Sequence, residues 1–322
     1  MKAVAIDLFG RLRVEETPEP VVPPGHTLIR VRAAGVNFAD CLARQGLYPD
    51  APPRPFVPGY EVAGETPDGR RVMALTVFGG YSEVVAVPDS QVFPLPAGFS
   101  FEEGAGFLVT SLTAGLAMLG YGPLRAGDRV LIHAAAGGVG LAAVQIGLAH
   151  GAILFGTAGS ETKCAFLAER GVQHPIDYRA RDWAAAVREA GGELDLILDS
   201  LGGASVPAGL RLLAPRGRLV ALGIAAGAGR GILGAVAAQL AGSLLPVHPL
   251  VAESRALIGL NMLRFVGRVE KLRDVSDALL ALVRAGKLRP HVGATFPLGE
   301  ARAAHDLLES RRSVGKVVLT TV

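Results

Sequence analysis

The chain has 322 residues, half of them hydrophobic, and a formal net charge of +3. That length exceeds the usual size of one hydrophobic core, so two domains are expected, and the composition is that of an ordinary globule. Its 32 basic residues are scattered among 29 acids, which argues against a nucleic-acid-binding face. The two cysteines, Cys41 and Cys164, offer neither a metal spacing nor a disulfide framework, as suits a reducing cytoplasm. The opening Met1-Lys-Ala-Val-Ala-Ile-Asp7 lacks the long apolar core of a secretion signal, so a cytoplasmic location is expected.

Residues 1 to about 117 are rich in Val, Gly and Pro. Short strand-like pieces at Thr27 to Arg32, Glu61 to Gly64 and Tyr81 to Ala86 predict a β-rich domain of short strands and loops. The pattern then changes. Arg129-Val-Leu-Ile132 is a buried strand that runs through His133-Ala-Ala-Ala-Gly-Gly-Val-Gly140 into an apolar helix around Leu141, Val144 and Ile146, which Gly151 ends. Ala135-x-Gly137-x-x-Gly140 fits the dinucleotide fingerprint with Ala in place of the first glycine. Gly137 lets the backbone approach a diphosphate, Gly140 lets helix and strand pack closely, and the N–H groups of Gly138, Val139 and Gly140 open the helix toward the negative charge. Further strands are predicted at Ala152 to Thr157, Asp195 to Asp199 and Arg218 to Leu222, separated by helical segments, which implies a doubly wound parallel sheet.

The run Gly231 to Val247 is apolar for seventeen residues. It is short for a membrane span and broken by Gln239 and Pro246, so a buried or partner-facing helix is expected. Arg255 to Leu263 predicts an apolar outer strand, followed by helices near Val275 to Gly286 and Gly299 to Ser310 and a terminal strand, Lys316 to Val322. The tail is expected to return to the first domain. The predicted domains are 1–117 with 259–322, and 118–258.

Amide usage is skewed: the chain has only two asparagines, Asn37 and Asn261. Asp40 and Glu61 are carboxylates near Asn37 in sequence. Asp40 precedes Arg44 by four residues, the spacing of a helical ion pair, so a structural role is favoured over acid-base work. His133 reads as a strand-end core residue, and no Ser/His/Asp arrangement is convincing.

Ala33-Ala-Gly-Val-Asn-Phe-Ala-Asp40, Arg44-Gln-Gly-Leu-Tyr48, Pro58-Gly-Tyr-Glu-Val-Ala-Gly64, Leu112-Thr-Ala114 and Ala134-Ala-Ala-Gly-Gly-Val-Gly140 occur in the order and spacing of the medium-chain dehydrogenases/reductases. Over almost its whole length the chain most resembles their zinc-free NADPH:quinone oxidoreductase, or zeta-crystallin-like, branch. The resemblance implies a GroES-like catalytic domain and a Rossmann nucleotide-binding domain. Zinc-dependent relatives carry Cys where this chain has Asn37 and His where it has Tyr60, and the two cysteines cannot supply a four-cysteine lobe, so no metal is expected. Without zinc to ionise a hydroxyl, an electron-poor acceptor such as a quinone or enone is the expected substrate.

By resemblance, Asn37 and Thr113 lie beside the nicotinamide and Tyr48 lines the acceptor side, although a tyrosine before Pro49 also suits a loop anchor. The resemblance adds Ser200, Leu222, Gly223, Ile224, Met262 and Leu263 to the cofactor contacts. An NAD enzyme usually places an acid where the second strand ends. Here Gly159 and Ser160 leave room for a 2′-phosphate, Lys163 can meet its charge, and Tyr178 matches a tyrosine that relatives place against it, so NADPH is favoured; Glu161 is the competing reading. A quinone is the first acceptor, with α,β-unsaturated carbonyls or a non-catalytic NADPH-binding role as alternatives. In relatives the strand matching Arg255 to Leu263 pairs with its twofold mate, so a homodimer is expected.

Overall fold

Strand-forming runs rich in Val, Ile, Leu and Ala alternate with Gly- and Pro-bearing turns through the first hundred residues and give β1 (Lys2–Ile6), β2 (Leu12–Glu16), β3 (His26–Val36), β4 (Glu61–Glu65), β5 (Arg71–Leu75), β6 (Val84–Pro88) and β7 (Val92–Pro94). Next come β8 (Arg129–Ile132), β9 (Ile153–Ala158), β10 (His174–Asp177), β11 (Leu194–Asp199), β12 (Leu213–Ala221) and β13 (Ala256–Gly259), and finally β14 (Val292–Pro297) and β15 (Lys316–Thr320). The structure is a computed structural model that describes residues 1–122, 124–223 and 247–321. Most of the predicted apolar helix at 231–247, and Ile224, lie outside the described residues. No helix among those described is long and apolar enough to cross a membrane.

The chain divides into two units, 1–110 with 263–273 and 289–322, and 111–262 with 274–288. The sequence placed the boundaries at 117/118 and 258/259 and assigned the whole tail to the first domain. Side-chain packing draws them differently. A Cβ on Gly115 would stand 2.7 Å from Val275 Cγ1 and 3.0 Å from Leu279 Cδ1, so the helix Arg273–Arg284 fits against the chain at 115–120 and most of it belongs to the second unit.

In the first unit a seven-stranded sheet runs β14-β15-β3-β4-β5-β7, with β6 also paired to β3. β15 lies antiparallel to β3, Val317 opposite Val36 and Thr320 opposite Ala33, so the end of the chain completes a sheet begun by its first third. Along β3 the side chains alternate, with Ile29 and Val31 buried and Arg30 and Arg32 exposed, until Ala33 to Val36, where all are buried. There the helix Phe101–Ala105 presses on the strand so closely that a Cβ on Gly35 would come within 2.2 Å of the Ala105 carbonyl oxygen. The core beneath is built on Val4, Ile29, Val62, Val72, Tyr81 and Leu319.

This core also holds a polar chain. Asp40, fully buried, accepts the N–H of Asn37 at 2.8 Å and of Gly59 at 2.9 Å. The Tyr81 hydroxyl bonds to Asp40 and lies 3.2 Å from Nε2 of buried His305. The ion pair expected between Asp40 and Arg44 is not formed. Asp40, in the first turn of the helix Phe38–Gln45, reaches back to the helix start and inward, while Arg44 pairs with Glu309 at 2.6 Å on the helix Ala301–Glu309.

The second unit is a six-stranded parallel sheet of order β10-β9-β8-β11-β12-β13, the chain-order pattern 3-2-1-4-5-6 of a Rossmann fold. Its central strands are covered on both faces, hence the continuous buried runs Val130 to Ile132 and Leu196 to Leu198 in place of alternation. The outer strand is shorter than the predicted 255–263: it ends at Gly259, and the chain turns through buried Leu260 and Met262 into the helix Leu263–Val266.

Burial, with the charges of Arg44 and Arg302, holds the His305 imidazole down to about 3 from its ordinary 6.5. The unfolded chain therefore takes up this proton more readily, and the stability due to neutral His305 is present above pH 6.5 and lost as pH falls toward 3. Within that window wild-type stability should fall more steeply than that of His305→Gln, by up to about 1.4 kcal/mol per pH unit. Denaturant titrations at a series of pH values check this, and parallel slopes would refute it.

Candidate active site

In a parallel sheet all strands point the same way, so every turn leaving a strand end emerges on one edge. That edge carries the sequence-predicted nucleotide residues: Ala134 to Gly140 after β8, Gly159 and Ser160 after β9, Tyr178 after β10, Ser200 after β11, Leu222 and Gly223 after β12, and Met262 and Leu263 after β13.

The glycine turn is held from behind. The N–H of Ala135 donates to the Thr157 carbonyl at 3.0 Å and that of Ala134 to Thr157 Oγ1 at 3.3 Å, while Ala134 takes a left-handed φ of 52°. Gly137 is the N-cap of the helix Gly138–Ala149. A Cβ on Gly140 would lie 2.5 Å from the carbonyl oxygens of both Ala134 and Ala135, so a side chain there would force the turn off its helix. A Cβ on Gly137 would approach only Ala134 O, at 3.3 Å. Glycine at this point keeps the backbone open where the first N–H groups of the helix, which lack acceptors within it, present partial positive charge.

Two neighbouring turns support this edge. Asp199 accepts the N–H groups of Leu201 at 2.7 Å and Gly202 at 2.8 Å and the Ser205 hydroxyl at 2.6 Å. A Cβ on Gly223 would lie 3.3 Å from the Ser200 carbonyl oxygen, so the turns after β11 and β12 meet. His133 is the strand-end residue that the sequence suggested: buried, with Nδ1 3.1 Å from Thr157 Oγ1 and its ring edge-on to Trp183 at 4.6 Å. Burial lowers its pKa and the charge of Asp199 partly opposes this.

After β9 the structure gathers Gly159, Ser160, Lys163 and Tyr178. Ser160 caps the helix Glu161–Glu169, its oxygen accepting the N–H of Lys163 at 3.3 Å. A Cβ on Gly159 would stand 2.7 Å from the Tyr178 hydroxyl, so only glycine lets that ring lie across the strand end. Burial and the nearby charge of Arg179 both lower the pKa of Lys163. Two cations thus share one locality with a phenol and a serine, a donor set suited to a dianionic phosphate. Glu161, the competing acid, starts the helix with an exposed side chain. Arg179 escaped the sequence analysis because arginine is abundant in this chain; its place next to Tyr178 was the available signal.

In the first unit, Asn37 is the centre of a second cluster. Its Oδ1 accepts Lys316 Nζ at 2.6 Å, and its Nδ2 donates to Glu61 Oε1 at 3.2 Å and to the Gly35 carbonyl at 3.4 Å. Lys316 Nζ also meets Glu61 Oε1 at 2.6 Å, in a pair whose side chains are 4% and 0% exposed. Glu61 Oε2 accepts the N–H of Val109 at 2.9 Å. Lys316 was missed by sequence reasoning, since it opens an apolar terminal strand distant in sequence; a lysine is nonetheless rare here, one of five.

Tyr48, half-buried, meets Tyr60 edge-on at 6.0 Å, and Tyr60 packs on Phe78 at 5.2 Å. Among the described residues the buried Tyr60 hydroxyl has no hydrogen-bond partner, and burial together with Asp40 keeps it protonated by raising its pKa. Thr113 is buried in the helix Leu108–Gly115. Among the described residues no three His, Cys, Asp or Glu side chains gather as a metal cluster.

Comparison with known proteins agrees with this architecture. Residues 23–97 match the alcohol dehydrogenase GroES-like domain family and residues 170–319 the zinc-binding dehydrogenase family. The human synaptic vesicle membrane protein VAT-1 homolog is 35% identical over 328 residues, covering 97% of this chain and 83% of that protein. A quinone oxidoreductase of Pseudomonas aeruginosa is 34% identical, with 94% and 93% covered. The solved quinone oxidoreductase of Thermus thermophilus, studied also in complex with NADPH, is 37% identical with a TM-score of 0.86, covering 99% of this chain and 100% of that one. The chain belongs to the medium-chain dehydrogenase/reductase superfamily, in its zinc-free quinone oxidoreductase branch.

Because both carbonyls near Gly140 are backbone, Gly140→Ala cannot be relieved by a rotamer change. It should lower stability by about 2 kcal/mol, read as a drop in Tm, a range usual for forced backbone shifts. An unchanged Tm would show that the turn is slack.

Proposed function

We propose that this protein is an NADPH-dependent oxidoreductase that reduces a quinone without a metal, working as a cytoplasmic homodimer. The cofactor is NADPH, and the observation that carries this is the strand end after β9. There Gly159, Ser160, Lys163, Tyr178 and Arg179 stand where an NAD enzyme would place an acid. The residues fit the group: the open backbone at Gly137 and the helix start at Gly138 to Gly140 suit the diphosphate, and the two cations suit the 2′-phosphate. Ser200, Leu222, Gly223 and Met262, on the same sheet edge, line the remainder, with Leu263 following. Ile224 is assigned by resemblance alone.

When bound, NADPH supplies hydride. The chain's own residues bind and orient: Asn37 and Thr113 serve the nicotinamide, and Tyr48 faces the acceptor. A quinone accepts hydride directly once positioned, so no Lewis acid is required. The chemistry around Asn37 supports metal independence: the Lys316 ammonium already occupies Asn37 Oδ1 at 2.6 Å, and a divalent cation beside it would be repelled. Tyr60, held protonated by burial, is a poor ligand where zinc relatives place histidine. The free thiols Cys41 and Cys164 suit a reducing compartment. An α,β-unsaturated carbonyl is the second reading, favoured by likeness to the solved CurK enoyl reductase, 28% identical with a TM-score of 0.84.

Steady-state NADPH oxidation against quinones, enals and 2-enoyl thioesters tests the activity, and quinones are expected to give the highest kcat/KM. Turnover should survive exhaustive chelation; a stoichiometric zinc whose removal abolishes turnover would overturn the metal-free mechanism. NADPH should bind far more tightly than NADH. Lys163→Ala should weaken NADPH about tenfold or more while sparing NADH, as loss of a charge-assisted contact requires. Equal affinities for the two cofactors would contradict the assignment.

The homodimer reading rests on β13, whose ladder partner among the described residues is β12 alone. An outer strand of Ala256-Leu-Ile-Gly259 is the kind of edge that proteins cover. A proline at Ile258 removes a backbone donor, and light scattering should then show a shift from dimer to monomer. A wild-type monomer at micromolar concentration would sink the assignment.

A further inference from the structure

The amide of Asn37 has two orientations open to it, differing by a half-turn about its terminal bond. The neighbours decide between them. Lys316 Nζ can only donate and Glu61, as a carboxylate, can only accept. With Oδ1 toward Lys316 at 2.6 Å and Nδ2 toward Glu61 Oε1 at 3.2 Å, both contacts are charge-assisted hydrogen bonds. After a half-turn, an NH2 group would face an ammonium and a carbonyl would face a carboxylate. Neither charge can move aside. Glu61 is anchored by the N–H of Val109 at 2.9 Å and by Lys316 at 2.6 Å. Lys316 is pinned along its stem, since a Cβ on Gly106 would lie 3.1 Å from Lys316 Cγ.

We infer that Glu61 and Lys316 are positioning residues, a buried ion pair that locks the Asn37 side-chain amide in a single orientation for the reaction. The inference rests on the reading above that Asn37 serves the nicotinamide. A pair this deeply buried is a weak source of net stability, because desolvation offsets most of the attraction. Its distinctive effect is directional. It commits one lone pair of Oδ1 and one hydrogen of Nδ2, whose nitrogen also lies 3.4 Å from the Gly35 carbonyl oxygen, and fixes which end of the amide faces each side. The backbone N–H of Asn37 is held separately by Asp40 at 2.8 Å, so main chain and side chain are clamped by different partners.

The chain offers a direct probe, because Asn37 and Asn261 are its only asparagines. Protein made with 15N-asparagine gives two side-chain NH2 pairs, assigned by Asn261→Gln. In the wild type the Asn37 pair should exchange with water at least tenfold more slowly than the side-chain amide of free asparagine and show one proton shifted downfield by the carboxylate. In Lys316→Met/Glu61→Gln, which removes both charges together and so leaves neither unpaired, the slow exchange and the downfield shift should disappear. Quinone turnover in the double variant should drop at least tenfold in kcat, while the NADPH Kd and the acceptor KM change by less than threefold. Lys316→Arg, still a donor-only cation, should retain most of kcat. Lys316→Met/Glu61→Met, an apolar replacement of the whole pair, repeats the test if the first double variant fails to fold.

An Asn37 pair that stays protected in the double variant, or a kcat that does not change once protection is lost, overturns the inference. Failure of the underlying reading looks different: Asn37→Ala would then keep full turnover while the wild-type amide remained protected.

Discussion

The buried contact between Lys316 and Glu61 joins parts of the chain that are 255 residues apart. Lys316 begins β15 and Glu61 begins β4, and both strands flank β3, whose end delivers Asn37. An ion pair in this place is tolerable only if its remaining hydrogen-bonding capacity is satisfied, because unpaired charge in a low-dielectric interior is strongly unfavourable. Asn37 and the Val109 N–H supply that satisfaction. Close approach of backbone makes room for it: a Cβ on Gly35 would touch Glu61 at 2.8 Å and the Ala105 carbonyl at 2.2 Å. Sheet closure, charge pairing and presentation of Asn37 are thus one packing problem with one solution.

The second unit solves a different problem by strand direction. Once all strands are parallel, the helix starts and the turns after the strands collect on a single edge whatever their sequence separation. Chemistry at that edge then depends on small residues where backbone must stay open and on cations where phosphate charge must be met. Gly137, Gly140 and Gly159 do the first for different reasons. Gly140 yields to its own turn's carbonyls, Gly159 to the Tyr178 ring, and Gly137 leaves its surroundings open. Lys163 and Arg179 are proposed for the second, and burial, with the nearby charge of Arg179 adding to it, lowers the Lys163 pKa.

Local pattern was enough for much of this. The run Arg129 to Gly140 specified strand, turn and helix because the glycine requirements of a dinucleotide turn are steric and act over a few residues. Alternating strand and helix signals specified the parallel sheet, and Gly159, Ser160, Lys163 and Tyr178 together favoured NADPH over the competing reading of Glu161. Local pattern misled where spacing was read as contact. Asp40 and Arg44 have helical ion-pair spacing, yet Asp40 turns to the Asn37 and Gly59 N–H groups while Arg44 finds Glu309. The extent of the outer strand was overread for a similar reason: apolar character in Leu260 and Met262 reflects burial after the strand has ended, not continued pairing.

What the sequence by itself determined was therefore the set of short-range consequences: secondary structure, the nucleotide turn, the residue types at Asn37 and Tyr60, and the family. What only the tertiary structure decided was which distant groups meet. Lys316, invisible as a site residue in a terminal Lys-Val-Val-Leu-Thr strand, becomes the partner of Asn37 because β15 pairs with β3 in a particular register. The assignment of the helix Arg273–Arg284 to the second unit likewise follows from Val275 and Leu279 meeting Gly115. Steric demands along a few residues are written into local sequence, whereas charge pairing and packing between remote segments depend on a register that exists only once the sheets have formed.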